Sequence, residues 1–323
     1  MDSSEKIIVT GSSSFIGYHL ALKLHQSNKD VVITGSRRLE YYNGIQLKRI
    51  NSLIEKKIVY EQLDITNDKN IKKFIYKHSP STWFHLPAWT KDWGSYDFDL
   101  TNAFRLNVIP LKFIFKFLKE SGCQGFVHVG SEAEYGNKNE CKNEEDRCFP
   151  LMPYGYAKLM QTIRIKQLAY QYEIPSRIGR VFSPFGIYEN PLKLLSQVLN
   201  ALKNGTPIEL SSCQQQRDFI FTDDLVDGFD RLGNDCKIDK IFDIFNICSG
   251  VPTKLKTLLI ELVSILDGNL ELLKFGEKSI RKGEQLILYG NNNKAKSLLD
   301  WNPDDPISKL SEFANCLKKQ KNE

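Results

Sequence analysis

Short apolar runs and helix-spaced stretches alternate through the first half of the chain. Ile7 to Thr10 is a compact β-branched run closed by Gly11, the pattern of a strand buried on both faces. Phe15 to Ser27 follows with Ile16, Leu20 and Leu24 on one helical face, and Val31 to Thr34 reads as the next strand. "KIVYEQLDI", "STWFHLPAW" and "GFVHVGSEAEYG" supply further strands. Between the last two, "TNAFRLNVIPLKFIFKFLKESG" has helical spacing ended by Gly122, with Pro110 bending it or marking a boundary inside it. This alternation predicts an α/β fold, a doubly wound parallel sheet.

The pattern changes further on. "NKNECKNEEDRCFPLMP" is a polar loop between a strand end and the next helix. From about Phe185, helix patterns are interrupted by short strands. "PLKLLSQVLNALKNG" predicts a helix closed by Gly205, and "FTDDLVDGFDRL" one that opens with an N-cap and an acidic first turn. These features predict a smaller second lobe, and the lysine-rich tail "CLKKQKNE" is expected to fray.

Composition narrows the class. The 323 residues are 41% hydrophobic and 26% charged, ordinary for a soluble globular protein. A formal charge of +5 does not point to nucleic acid, yet suits an anionic small molecule held by a few placed cations. Seven scattered cysteines without a C-x-x-C pair read as free thiols in a reducing compartment. The five histidines lack ligand spacing, so no metal site is expected. The polar start is unlike a signal peptide, and no apolar stretch reaches the roughly 18 residues of a membrane helix. A cytoplasmic protein without membrane contact is expected.

Chemistry concentrates at two places. In "TGSSSFIG", a strand, a glycine turn and a helix start bring free backbone N–H groups and a positive helix end to one point, which suits a pyrophosphate. Gly11 is free to take the turn conformation, Gly17 allows close helix packing, and Ser14 stands where a third glycine is usual. Ser13, Phe15 and Ile16 complete this predicted cofactor loop. The second strand ends in Gly35, Ser36, Arg37 and Arg38, with no acid to accept from ribose hydroxyls. Two arginines there suit a ribose phosphate, so NADP(H) is favoured, with NAD(H) the alternative; a solvated basic loop is the plain reading of the pair.

The second place centres on Tyr154 and Lys158, four apart and so on one helical face. An ammonium near the phenol lowers its pKa, and the same lysine is suited to ribose hydroxyls. Ser131 ends a strand at the carboxyl edge of the predicted sheet, where a hydroxyl can bind a substrate oxygen and orient Tyr154. Taken singly, each residue is equally at home as helix surface or strand-end turn.

The ordered set "TGSSSFIG", "LDIT", "FHLPA", Asn107-Val108, "GSEAEYG", "PYGYAK", "GRVFSPFG", "QQQRDFIFTDDLVDG", "FNICSG", "RKGE" and "LLDWNP" resembles the extended short-chain dehydrogenase/reductases that act on nucleotide sugars, over nearly the whole chain. The resemblance implies a Rossmann-type cofactor domain over residues 1–182. It implies a smaller C-terminal α/β nucleotide-sugar lobe over 183–323, with segments near 217–248 returning to the first. It implies a Ser131, Tyr154 and Lys158 triad, Asp64 and Ile65 beside the adenine, and Leu86, Pro87, Ala88 and Asn107 along the cofactor. Arg217 and Arg281 would hold the sugar-nucleotide diphosphate. Ser183 stands where relatives often have an asparagine on the substrate, and Trp89 and Trp93 would shape the sugar pocket or belong to the core. A homodimer through helices near 102–119 and 156–172 is also implied.

Residues after Ser131 separate the reactions. Dehydratases of this kind carry an acid and a base there. This chain offers Glu132 as an acid but Ala133 at the base position, and Glu134 is expected on a polar loop rim. The absence of an acid after the second strand favours NADPH and net reduction of a nucleotide-linked 4-keto-6-deoxy sugar at C-4. The alternatives are an NAD-dependent C-4 epimerase, a 4,6-dehydratase, and a cofactor-sensing protein without turnover.

Overall fold

A computed structural model describes residues 5–137, 139–238, 240–279 and 285–320. The chain first builds β1 (Lys6–Thr10), α1 (Phe15–Gln26), β2 (Asp30–Gly35), α2 (Gly44–Glu55), β3 (Val59–Gln62), α3 (Asp68–His78) and β4 (Thr82–His85). It continues through α4 (Leu100–Asn107), α5 (Leu111–Glu120), β5 (Gly125–Ser131), the short β6 (Cys141–Lys142), α6 (Pro153–Tyr172) and β7 (Ser176–Val181). Then come β8 (Pro184–Phe185), α7 (Leu194–Asn204), β9 (Ile208–Leu210), β10 (Gln216–Asp218), β11 (Ile220–Phe221), α8 (Thr222–Asp235) and β12 (Phe242–Ile247). The last elements are β13 (Pro252–Lys254), α9 (Leu255–Ile265), β14 (Leu273–Phe275), β15 (Ile287–Gly290), α10 (Asn293–Leu299) and α11 (Leu310–Gln320).

Seven strands pair in parallel in the order β12-β7-β5-β4-β1-β2-β3. Strand order reverses between β1 and β4, and ligands of such sheets bind at that switch point, outside the carboxyl ends of the strands. Helices cover both faces of β1 and β2, which is why these strands read as nearly continuous apolar runs. Ile7 and Val9 face a core shared with Leu20 and Leu24 of α1 and Leu225 and Phe229 of α8. Ile8 faces the opposite core, with Phe74 of α3, Ile114 of α5 and Leu168 of α6.

Pro110 proves to be a boundary: it is the N-cap of α5, after α4 has closed at Asn107. The apolar face of α5, including Leu111, Ile114, Phe115 and Leu118, is inside the molecule. Thus "FIFKFL" belongs mainly to the core. A third core joins Leu195 and Val198 of α7, Leu258 and Leu262 of α9 and Phe313 of α11. The sequence from β8 onward does not stay in this region, because α8 packs on α1 and β12 completes the large sheet.

Three local expectations are corrected. Helix α8 starts at Thr222 with Phe221 as its N-cap and no side-chain cap, although Asp223 and Asp224 do give it an acidic first turn. Helix extends into the lysine-rich tail as far as Gln320, with Leu310 and Phe313 anchoring α11 against the third core, while the rest of that tail, 321–323, lies outside the described residues. The polar stretch after Tyr135 also holds β6, which pairs with β15.

Candidate active site

The turn after β1 is built by its two glycines. Gly11 has φ +73°, and a Cβ on it would press against the backbone of Leu86 and Pro87 just past β4. A Cβ on Gly17 would strike the Gly11 carbonyl and the Ser14 hydroxyl. Ser14 itself is the N-cap of α1, its hydroxyl accepting the Gly17 N–H at 3.1 Å. The residue that departs from the glycine pattern therefore does a capping job. Phe15 and Ile16 at the start of α1 keep N–H groups that have no acceptor inside the helix. Turn, N–H groups and helix end form a cradle that fits a pyrophosphate.

The end of β2 is equally specific. A Cβ on Gly35 would collide with the Tyr42 hydroxyl and crowd that of Tyr60, so a side chain there would have to displace the ends of both tyrosines. Beyond it Ser36, Arg37 and Arg38 are exposed. Their backbone is braced: Tyr60 donates to the Arg37 carbonyl, and Gln62 to the Ser36 carbonyl at 3.1 Å. The Arg37 guanidinium lies 5.8 Å from the Tyr42 ring centre. Asp64, exposed after β3, accepts from the N–H and hydroxyl of Thr66, and Ile65 beside it is buried.

Leu86, Pro87 and Ala88 leave the end of β4 next to the glycine turn. Gln161 of α6 donates to the Pro87 carbonyl at 3.2 Å, and Asn107 accepts the Trp89 N–H at 2.8 Å. Trp89 and Tyr154 pack against Phe98, Ala103 and Ala157, so Trp89 sits against the small core beside Tyr154.

Ser131, at the last position of β5, caps a short 3₁₀ turn over Glu132–Glu134. Its hydroxyl accepts from Ala133 N–H at 3.2 Å and donates to Glu132 at 3.0 Å. Tyr154, in the first turn of α6, lies within reach of the Ser131 hydroxyl, which favours its ionised form when turned toward it. Burial outweighs it and, with the Glu132 charge, pushes the phenol pKa above its ordinary value. Glu132 is in turn held above the usual carboxylate range by burial, against the opposing fields of Lys193 and Arg217. Arg217 on β10 and Lys193 at the N-cap of α7 thus both act on Glu132. The Lys193 ammonium is 4.2 Å from the Trp93 ring centre, and Trp93 is edge-on to Tyr154 at 6.1 Å.

Lys158 is buried one turn beyond Tyr154. Its three N–H donors meet three acceptors: Val129 O at 2.6 Å, His128 Nε2 at 3.3 Å and Gln161 Oε1 at 3.3 Å. Burial lowers its pKa to about 8, with the Glu134 charge opposing. The expected electrostatic lowering of the phenol by Lys158 is not what governs Tyr154 here; burial does. Ser183 lies just past β7, half-buried, its carbonyl accepting the Ile220 N–H at 3.1 Å. Arg281 falls outside the described residues.

Glu134 overturns its expected place on a loop rim. It has no solvent exposure; it accepts from Ser131 N–H at 2.9 Å, from Thr162 at 2.9 Å and from Arg180 at 3.1 Å. Its turn folds inward because those donors are buried and need an acceptor. Arg49 is a further residue that no sequence motif marks. Buried on α2, it donates to the Ser13 carbonyl at 2.9 Å and to the Tyr188 carbonyl, tying the glycine turn to the segment after β8. Its neighbours Ile50 and Leu53 are buried as well, and a charge within that stripe was the one available signal. Among the described residues no group of three or more His, Cys, Asp or Glu is arranged to hold a metal ion. No helix among them is long and apolar enough to cross a membrane.

The reversed strand order, the glycine cradle at the switch point and the Ser131–Tyr154 pair on the carboxyl edge define a doubly wound α/β protein with a dinucleotide-type cleft. The chain belongs to the NAD dependent epimerase/dehydratase family, whose model matches residues 7–248. It is 26% identical to the dTDP-4-dehydro-6-deoxyglucose reductase of Escherichia coli, over 96% of this chain and 98% of that one. It is also 26% identical to an uncharacterised UDP-glucose epimerase of Bacillus subtilis, over 92% and 93% of the two chains. The solved structure of a mutant UDP-glucuronic acid 4-epimerase from Bacillus cereus, in complex with UDP-4-deoxy-4-fluoro-glucuronic acid and NAD, shares the fold at a TM-score of 0.82 and 23% identity, over 98% and 99% of the chains.

Proposed function

We propose that the protein reduces the C-4 ketone of a nucleotide-linked 4-keto-6-deoxy sugar with NADPH. The end of β2 carries this reading: Gly35, where the Tyr42 and Tyr60 hydroxyls occupy the space of a side chain, offers no acid, and Arg37 and Arg38 follow in the open. A site without that carboxylate does not repel a ribose phosphate, and two guanidiniums suit it. Gly11, Ser13, Ser14, Phe15, Ile16 and Gly17 would hold the pyrophosphate, Asp64 and Ile65 the adenine end, and Leu86 to Ala88 the length of the cofactor. When bound, the cofactor supplies the hydride.

The chain's own groups do the rest. Tyr154 keeps its proton at neutral pH because burial and Glu132 both favour the neutral phenol, so it is ready to donate to an oxygen that becomes an alkoxide. Ser131 offers a hydroxyl to that oxygen, and the Lys158 ammonium beneath the site supports the developing charge. Arg217, with Lys193 beside it, would bind the diphosphate. Ala133 leaves no base at the position where dehydration needs one, which argues against a 4,6-dehydratase.

A second reading, an NAD-dependent C-4 epimerase, is favoured by the names of the Bacillus relatives. The full chain assayed with dTDP-, CDP-, GDP- and UDP-4-keto sugars, each with NADPH and NADH, separates the two. Net consumption of NADPH with one C-4 stereoisomer formed supports the reductase. Interconversion of C-4 epimers without net cofactor consumption, on tightly held NAD, overturns it.

A further inference from the structure

Beneath Lys158 lies a buried arrangement in which His85 of "FHLPA" meets His128, a residue outside the ordered set of motifs. His128 and His85 sit on adjacent strands β5 and β4, paired in register, and both are almost fully buried. His128 Nδ1 is 2.8 Å from the His85 carbonyl oxygen, which can only accept. The proton of His128 is therefore on Nδ1, and Nε2 carries a lone pair. That lone pair is the atom facing the Lys158 ammonium at 3.3 Å. Below it, the Trp83 indole N–H donates to His85 Nδ1 at 3.4 Å, holding the His85 ring in place.

We infer that His128 is a positioning residue for Lys158: a neutral imidazole, locked in its Nδ1–H tautomer by the His85 carbonyl, which accepts from the ammonium and sets its place and charge beneath the reaction site. This rests on the reading of Lys158 as part of that site. Neutrality is secured by burial, with the Lys158 and His85 charges adding to it, so His128 stays uncharged across the working pH range. Other groups facing Lys158 are Glu134 from the 3₁₀ turn, His85 from β4 and Gln161 from its own helix. Only His128, Gln161 and the Val129 carbonyl accept directly from the ammonium among the described residues. Replacing a neutral acceptor by an apolar or short side chain removes stabilisation from the charged lysine, so the ammonium gives up its proton at lower pH.

Long-range ¹H–¹⁵N spectra of the full chain test this without any substrate. His128 is expected as the Nδ1–H tautomer from pH 6 to 9, with an Nε2 resonance that moves in a Lys158→Met variant. A protonated Nε2, or an Nε2 unmoved by Lys158→Met, overturns the inference. Turnover adds a second readout. His128→Asn keeps a side-chain amide near the backbone but withdraws the acceptor, and should lower the alkaline limb of kcat/KM by roughly one pH unit. His128→Gln, whose carbonyl reaches the Nε2 position, should restore it; equal limbs in the wild type and the folded His128→Asn variant overturn the inference. If no sugar is turned over, the proposed function fails while the tautomer and the Lys158→Met response still decide the role of His128.

Discussion

Glu134 accepts the backbone N–H of Ser131 at 2.9 Å from a side chain that is itself completely buried. Its second oxygen binds Thr162 and Arg180, so one carboxylate joins the serine of the site to α6 and β7. Arg180 also lies over the Tyr135 ring, 4.4 Å from its centre. Removing Glu134 strands a buried guanidinium. Glu134→Ala is expected to lose about 3–5 kcal/mol of stability. Glu134→Gln, which keeps a carbonyl for Ser131, should lose less, about 1–3 kcal/mol. Urea unfolding of both variants checks the order; equal stability of Glu134→Ala and the wild type would show that the pair contributes nothing.

Ser14 is the second case in which a single side chain decides the character of a motif. As N-cap of α1 it satisfies the Gly17 N–H. Ser14→Ala should cost about 1 kcal/mol and Ser14→Gly only a few tenths. Because the hydroxyl proton stays available to a phosphate oxygen, Ser14→Gly should change NADPH affinity by less than about threefold, under 1 kcal/mol. Isothermal titration measures it. A large gain in affinity for the glycine variant would mean that the serine handicaps the loop.

Which features were legible follows from where the information resides. The sheet was readable because Ile7 to Val9 and Val31 to Ile33 are buried on both faces and so appear as unbroken apolar runs. Ser131, Tyr154 and the glycine turn were readable because their spacing is local. Glu134, His128 and Arg49 were not, since their partners lie on other elements: Arg180 and Thr162, Lys158, and Ser13 with Tyr188. A buried charge looks like a surface charge until its counter-ion is placed. The tyrosines that close the space beside Gly35 come from two separate segments, so the sequence showed a missing acid but not its cause.

Arg37 and Arg38 provide the sharpest test of cofactor choice. Each is exposed, and the Arg38 guanidinium has a surface contact with Glu40 at 3.9 Å. Alanine at both positions should leave folding unchanged. A charge-assisted bond to a ribose phosphate is worth about 1.5–3 kcal/mol, so the double variant should weaken NADPH roughly 10- to 100-fold and NADH hardly at all. Fluorescence titration with both nucleotides measures the ratio. Parallel losses for the two cofactors would remove the basis for NADPH preference.

Exposed apolar side chains gather on α4 and α6: Leu100, Phe104, Tyr156, Ile163 and Tyr170. Since the apolar face of α5 is turned inward, these residues are the available contact surface for the proposed homodimer. Sedimentation should give a dimer at micromolar concentration. Phe104→Lys combined with Ile163→Lys should give a folded monomer, since a buried unpaired charge opposes association. A wild-type chain that sediments only as a monomer would refute the dimer.

The last prediction sets stability against activity at Lys158. Its ammonium has a folded pKa of about 8 against 10.5 for the free side chain, because burial disfavours the charge. Between those values the unfolded chain binds more protons than the folded one, so the contribution of this group to stability rises with pH. Below pH 8 both states are protonated and the full cost of burying the ammonium is present. Across the window the gain is at most about 3 kcal/mol. Lys158→Met lacks the titration, so the stability of wild type relative to this variant should increase from pH 8 to pH 10. Activity should fall over the same interval as the ammonium is lost. Urea unfolding at several pH values gives the difference directly. Parallel pH curves for the two proteins would mean that Lys158 keeps its ordinary pKa in the fold.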